Sequence, residues 1–371
     1  MKKILHLGAF DRNIGDNIAL INAQKLWKKN IKEEIQFKNF DIGNFWKNNN
    51  DINASKKIFS KISKEYDCIL VGGGGLVECQ DHHATGWKLP FNKKVFQSIS
   101  IPTFFQGVGI NCFRGGSEYT DKAKNSLSET IDNASVFSVR NDGSKSKLDN
   151  WIGIKNKKVI EVPDPGLMHY NDHDIKLEKL ENLNVKIFGI QPAWNGGGDL
   201  KPGINLGRFI NQDNIDFIKS LTSNMKVYPH TGKDFNRLKG KTIVSLEEFK
   251  TKYRYIKNTY DFINKYNEVD CVIAMRGHGQ LITIGMNLPG IYLSTQDKVR
   301  DFSLLNGFED YNVDILEDNW QDKLKNYIYL MKNEEEYVKN WFNIRKNKIK
   351  KWKNQDSDFI NECMRVLKWN V

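Results

Sequence analysis

Cysteine is scarce in this chain. Five residues, Cys68, Cys79, Cys112, Cys271 and Cys363, are scattered and odd in number. None forms a CxxC pair, so neither a disulfide framework nor a structural zinc site is expected. Cys68 and Cys271 stand inside apolar runs and read as small core residues. No run approaches the ~20 apolar residues that a membrane helix needs. The opening MKKILHLGAF breaks its apolar stretch at Asp11 and Arg12. It reads as a first strand and not a signal peptide, which makes the cytoplasm the expected compartment. There is no short-period repeat. There is also no G-x-G-x-x-G with a following acidic residue, and no GK[ST] after a glycine run. His82, His83, His169 and His173 lack a third ligand at metal spacing, so no metal site is expected.

The 371 residues exceed what one core usually holds, so two domains are expected. Hydrophobic residues at 39%, charged residues at 27% and aromatics at 12% suit a folded chain and exclude global disorder. The net charge of +11 admits several partners. No nucleic-acid motif surrounds its densest cluster, RKNKIKKWKNQ, so nucleic acid is not an expected partner. Three readings of the charge stay open. One is an acidic substrate. Another is weak peripheral contact with an anionic membrane, at roughly 1 kcal/mol per basic residue near the surface. The third is a set of solvated lysines.

Strand-like and helix-like segments alternate. KKILHLGAF, EEIQFKNFD, DCILVGGGGLV, IPTFFQGVGI and SVFSVR read as strands, separated by helical spacing in GDNIALINAQKLWKKN, NASKKIFSKISKEY, FNKKVFQSIS and DKAKNSLSETIDNA. The polar stretch 172–184 reads as a linker. Alternation then restarts with VKIFGIQPAW, NIDFIKSLTS, MKVYPHTG, a long helix near YRYIKNTYDFINKY, VDCVIAM, a helix from Gly279 and LPGIYLS. The pattern predicts two doubly wound α/β domains, each with a parallel sheet, over residues 1–170 and 185–320. Residues 321–371 are expected to form helices that pack back on the first domain.

Ligands of open parallel sheets sit outside the carboxyl ends of the strands. Polar and glycine residues gather there. Asp16 and Asn17 follow the first strand and could cap the next helix or present its amides to an anion or sugar. Gly73, Gly74 and Gly75 permit close backbone approach, and Gln106, Gly107 and Gly109 form another lip. Arg140 ends a strand, where a charge needs a partner. Asp142 or an anionic ligand could supply it. Arg276 and His278 sit between a buried strand and a helix amino end, with Gly277 and Gly279 clearing space around them. A cationic fork, an imidazole and a helix N-terminus suit a phosphate or carboxylate together with a proton transfer.

Taken in order, GDN (15–17), VGGGG (71–75), QGVG (106–109), SVRND (138–142), DPG (164–166), RGH (276–278) and STQDK (294–298) resemble the polysaccharide pyruvyl transferase family over most of residues 1 to about 305. The resemblance implies a fold similar to two-domain GT-B glycosyltransferases. It implies phosphoenolpyruvate as donor, a sugar of a cell-surface glycan as acceptor, and a pyruvate ketal bridging two hydroxyls as product. No cofactor is implied, since phosphoenolpyruvate is a co-substrate. The acceptor is expected to be a lipid-linked oligosaccharide, a nucleotide sugar or a glycan of an exopolysaccharide, capsule or lipopolysaccharide. His278 and Arg276 are then the expected catalytic pair. Arg140, Arg276, Gly277, Gly279, Gln280 and Lys298 are expected on the donor, and Gly15, Asp16, Asn17, Gly73, Gly74, Gly75, Gln106, Gly107 and Gly109 along the cleft and acceptor side. Two departures stand out: Gly277 where the family often has Leu, and DPG where it often has DPA. A GT-B glycosyltransferase using a nucleotide sugar is the alternative enzyme, and a non-catalytic glycan-binding protein the alternative outside catalysis.

Overall fold

The computed structural model describes residues 1–47, 51–78, 83–111, 119–155, 158–167, 185–193, 212–220, 225–236 and 242–369. The expected linker lies outside them, as do His82, His169 and His173. The first sheet holds β1 (Lys2–Gly8), β2 (Ile35–Asp41), β3 (Cys68–Glu78), β4 (Thr103–Asn111), β5 (Val136–Arg140) and β6 (Val159–Val162) in the order β2-β1-β3-β4-β5-β6. The second holds β7 (Phe188–Gln191), β8 (Met225–Val227), β9 (Cys271–Ala274), β10 (Gly290–Ser294) and β11 (Asn312–Asp314) in the order β11-β10-β9-β7-β8. All pairings are parallel. Helices cover such sheets on both faces, so the central strands read as continuous apolar runs; β4, β5, β9 and β10 are buried throughout.

The helices that position the site are α1 (Ile14–Asn30), α2 (Ile52–Glu65), α3 (Asp121–Asn133), α4 (Gly277–Gly285), α5 (Asp297–Asn306), α6 (Trp320–Asn333) and α7 (Glu335–Leu367). Asn13 caps α1, its side chain accepting the Gly15 amide at 2.8 Å. The amino end of α1 reaches the second half of the chain: Ile14 and Ile18 belong to the core of the second sheet, and the Ile14 amide donates to the His230 carbonyl at 3.1 Å. Its carboxyl end, with Leu26 and Trp27, packs instead with Phe359, Ile360, Cys363 and Met364 of α7 beneath β1, β3 and β4. The same α7 buries Trp341 and Trp352 in the second core. At 33 residues it is roughly 50 Å long, and it crosses both units. Arg345 donates to the carbonyls of Ile284 and Gly285 at the end of α4, where a cation also meets the negative end of the helix dipole.

Four local differences from the sequence reading have physical reasons. Strand β11 was not anticipated, and β6 was implied only by Asp164 as a strand-end residue; both are short edge strands. The helix expected in FNKKVFQSIS is the single turn Lys93–Phe96, capped by Asn92. The long helix near Tyr253 is a series of short turns, because Tyr253, Phe262 and Tyr266 are all drawn into one core from a winding backbone. And β3 does not stop at its glycines but continues to Glu78. Among the described residues no helix is long and apolar enough to cross a membrane.

Candidate active site

Strand β5 delivers Arg140 to the cleft between the sheets. Its guanidinium is buried and pairs with Asp164 through Nη1 at 2.8 Å and with Asp142 through Nη2 at 2.7 Å. Among the described residues Nε has no hydrogen-bond partner. A Cβ at Gly109 would lie 2.1 Å from Nη2, so the guanidinium lies directly over that glycine. Asp164 follows β6 and accepts the Gly166 amide at 2.8 Å. Burial would push this carboxyl up, but Arg140, His278 and that amide overcome burial and hold it well below the usual carboxylate range.

The second half supplies His278, in the first turn of α4. Its Nδ1 is 3.3 Å from Asp16 Oδ1, and its Nε2 is 3.7 Å from Asp164 Oδ2. Each ring nitrogen therefore faces a carboxylate of the first half. The fit depends on Gly15, because a Cβ there would stand 2.3 Å from the His278 Cβ. Lys298, in α5, runs along Gly277, whose missing Cβ would lie 3.3 Å from the lysine Cε. Burial and the neighbouring Arg140 bring the Lys298 ammonium down to about 8, against the pull of Asp142, Asp16 and Glu78. Arg140, Asp164, Gly277, His278, Lys298 and Phe302 line one pocket.

Arg276, expected beside Arg140 on the donor, is held within the second half. Its Nη2 pairs with the fully buried Asp234 at 2.6 Å, and its Nε donates to the Pro192 carbonyl at 3.0 Å. Asp234 in turn accepts the amides of His230 and Thr231, each at 2.9 Å. The His230 ring meets the Tyr266 hydroxyl at 2.7 Å, and burial, with help from Arg276 and His278, keeps it neutral well below its ordinary range. Gln280 lines the pocket, but its amide donates to Ser303 at 2.8 Å and ties α4 to α5. Gly279 leaves room for Gln191, whose Oε1 accepts the Arg276 amide at 3.0 Å.

On the expected acceptor side, Gly74 lies against Asp16, Gly73 against Leu20, and Gly75 beneath Asn111. Gln106 is turned inward, accepting the Trp27 indole N–H at 3.0 Å. Gly107 packs on Pro165. Asn17 bridges the two halves by accepting the Asp11 amide and donating to the Arg254 carbonyl. The residues brought together are thus Gly15, Asp16, Gly109, Arg140, Gly277, His278 and Lys298. Sequence reasoning gave no role to Asp164 or Asp234. Asp164 was visible as a strand-end carboxylate bracketed by prolines, whereas Asp234 sits in a polar loop with no such signal.

The structure is similar to that of a protein assigned as a UDP-N-acetylglucosamine 2-epimerase from Listeria monocytogenes, with TM-score 0.50 and 12% identity over 92% of this chain and 91% of that one. It can also be laid over the UDP-GlcNAc 2-epimerase of Methanocaldococcus jannaschii in complex with UDP-GlcNAc and UDP (TM-score 0.45, 13% identity, 90% and 93% covered). An alpha-glucosyltransferase in complex with UDP gives TM-score 0.48 and 10% identity over 99% of this chain and 100% of that one. The likeness is one of fold: two parallel-sheet α/β units across a cleft, GT-B-like, with a helical C-terminus. No curated protein matches the sequence. The family model for polysaccharide pyruvyl transferase matches residues 13–297, a span that takes in Asp16, Arg140, Asp164 and His278, and the chain belongs to the polysaccharide pyruvyl transferase family.

Proposed function

We propose that the protein transfers the pyruvyl group of phosphoenolpyruvate to two hydroxyls of one sugar in a cell-surface polysaccharide or its precursor, in the cytoplasm. The observation that carries this reading is the placing of His278 between Asp16 and Asp164, at the mouth of a pocket that also holds Arg140 and Lys298. A trianionic donor needs at least two cationic contacts. Arg140 has a guanidinium N–H without a hydrogen-bond partner among the described residues, and Lys298 brings an ammonium to the same pocket. The amino end of α4 adds its dipole.

In this scheme the donor methylene takes a proton and leaves an oxocarbenium-like carbon. One sugar hydroxyl adds to that carbon and gives up its proton. Phosphate then departs with its bonding electron pair, and the second hydroxyl closes the ketal. Of the two hydroxyl protons, one balances the proton placed on the methylene and the other leaves on phosphate. His278 is the group placed to move these protons, with Asp16 and Asp164 orienting its ring. Arg276 holds the β9–α4 junction through Asp234.

The test is incubation with phosphoenolpyruvate and candidate sugar acceptors, read by mass spectrometry for a pyruvate ketal. Alongside it, heat protection by phosphoenolpyruvate is compared with protection by a nucleotide-sugar panel. Ketal formation with protection by phosphoenolpyruvate supports the proposal. Protection by nucleotide sugars alone overturns it in favour of a glycosyltransferase.

A further inference from the structure

Strands β3 and β4 run past the rest of their sheet. Strand β1 pairs with β3 only as far as Val71, and β5 with β4 only as far as Val108. The two continue together to the pair Glu78–Asn111, with a register shift after Gly74. They make a two-stranded tongue beyond the carboxyl edge, where open α/β sheets take ligands. Three polar side chains converge at its tip. Lys88 Nζ is 3.2 Å from Glu78 Oε1, with both side chains mostly buried. Asn111 donates to Glu78 Oε1 at 3.3 Å and to the Gly75 carbonyl at 3.2 Å. Its amide lies over Gly75, where a Cβ would stand 2.0 Å from Nδ2.

Asn111 is only 7% exposed, yet among the described residues its Oδ1 has no hydrogen-bond partner. A buried acceptor left without a partner costs free energy, and a hydroxyl donor from a ligand would satisfy it. A carboxylate, an ammonium and an amide held together form the donor and acceptor set that neighbouring sugar hydroxyls require. The tip lies at the end of the same strand that passes Asp16. The Glu78 charge acts on Lys298, and Gly74, next to Gly75 in β3, lies against Asp16, which faces His278.

We infer that Glu78 and Asn111, braced by Lys88, form the hydroxyl-binding edge for the acceptor sugar, facing the donor pocket across His278. The inference rests on the pyruvyl-transfer reading for the identity of the acceptor, and it moves acceptor recognition from Gln106 and the glycines out to the tongue.

The test uses the full chain and two separate probes. Saturation-transfer NMR reads binding of methyl β-galactopyranoside, methyl β-glucopyranoside and methyl β-N-acetylmannosaminide, and calorimetry reads phosphoenolpyruvate affinity. At least one pyranoside should bind the parent. Asn111→Leu and the isosteric Glu78→Gln should each weaken that binding about tenfold or more, with phosphoenolpyruvate affinity, read at about pH 6.5 where Lys298 stays charged with or without Glu78, unchanged within about twofold. Glu78→Gln keeps the shape of the tip, so it reads the site even where Asn111→Leu fails to fold. Parent-like sugar binding by both folded variants overturns the inference, as does an equal loss of phosphoenolpyruvate affinity or a parent that binds none of the pyranosides. Sugar binding lost in the variants while the parent ignores phosphoenolpyruvate leaves the subsite standing and removes the pyruvyl donor.

Discussion

Replacing Asp164 with Asn tests the electrostatic centre of the site by a change that leaves its shape alone. The carboxylate is 1% exposed and touches Arg140, the Gly166 amide and the edge of His278. Asn keeps the volume and one acceptor but removes the charge, leaving Asp142 as the carboxylate paired with Arg140. Breaking a buried pair outright costs about 3–5 kcal/mol. With Asp142 still in place, about 2–3 kcal/mol is expected. At roughly 2–4 °C per kcal/mol for a unit of this size, melting should fall by about 4–12 °C at pH 7.

The pH dependence has a fixed sign. A carboxyl held below its unfolded value near ~3.9 contributes stability above that pH and loses it as pH falls further. The gap between parent and variant should therefore hold steady from pH 7 to about 5 and close in stronger acid. Thermal scans of both proteins from neutral pH into acid read this directly. Equal melting at pH 7, or a gap that acid leaves untouched, would refute the placing of a buried, ionised Asp164 between Arg140 and His278.

Three further outcomes follow from the same geometry. His278→Ala should lower turnover by about 10²–10⁴-fold with donor affinity and melting near the parent's; steady-state kinetics beside a donor titration separates the two, and parent-like turnover removes the proton-transfer role. Phosphoenolpyruvate affinity should weaken as pH rises through about 8, where Lys298 loses its charge; calorimetry across that range should find the dependence flattened and the neutral-pH affinity lower in Lys298→Met. Gly15→Ala adds no chemistry but puts a methyl 2.3 Å from the His278 Cβ, so activity should fall sharply while the circular dichroism of the fold persists.

The fold was legible where strands are buried on both faces. Runs such as FFQGVGIN, VDCVIAM and LPGIYLS have no polar side to confuse the period. Edge strands gave no such signal. Strand β6 is four residues long with Glu161 inside it, and β11 is NVD. Both are defined by one neighbour, a relation that no local period encodes. The four glycines after Val71 read locally as the end of a strand, since glycine interiors are weak. They stay in β3 because the backbone of α1 and the Gln106 carbonyl of β4 come within Cβ distance of them, a tertiary fact.

The site shows the same divide. A strand exit crowded with Arg276, Gly277, His278 and Gly279 announced chemistry, but the sequence could not say that its arginine and its histidine face opposite ways. Arg276 is the N-cap of α4 with extended backbone, φ −112° and ψ 148°, while His278 already lies in the first turn. Two positions across that switch place the guanidinium on Asp234, within the second half, and the imidazole on Asp16 and Asp164, within the first. An acid–base group from one sheet oriented by carboxylates from the other can work only when the halves are held in register. Register is set by contacts around the pocket: Asn17 on Arg254, the Ile14 amide on His230, and α7 lying across both cores. His230 belongs to the same knot, because Asp234 receives its amide as well as the Arg276 guanidinium. The Arg276–Asp234 pair therefore braces the strand exit behind His278, and the geometry of the proposed reaction belongs to the join between the two sheets.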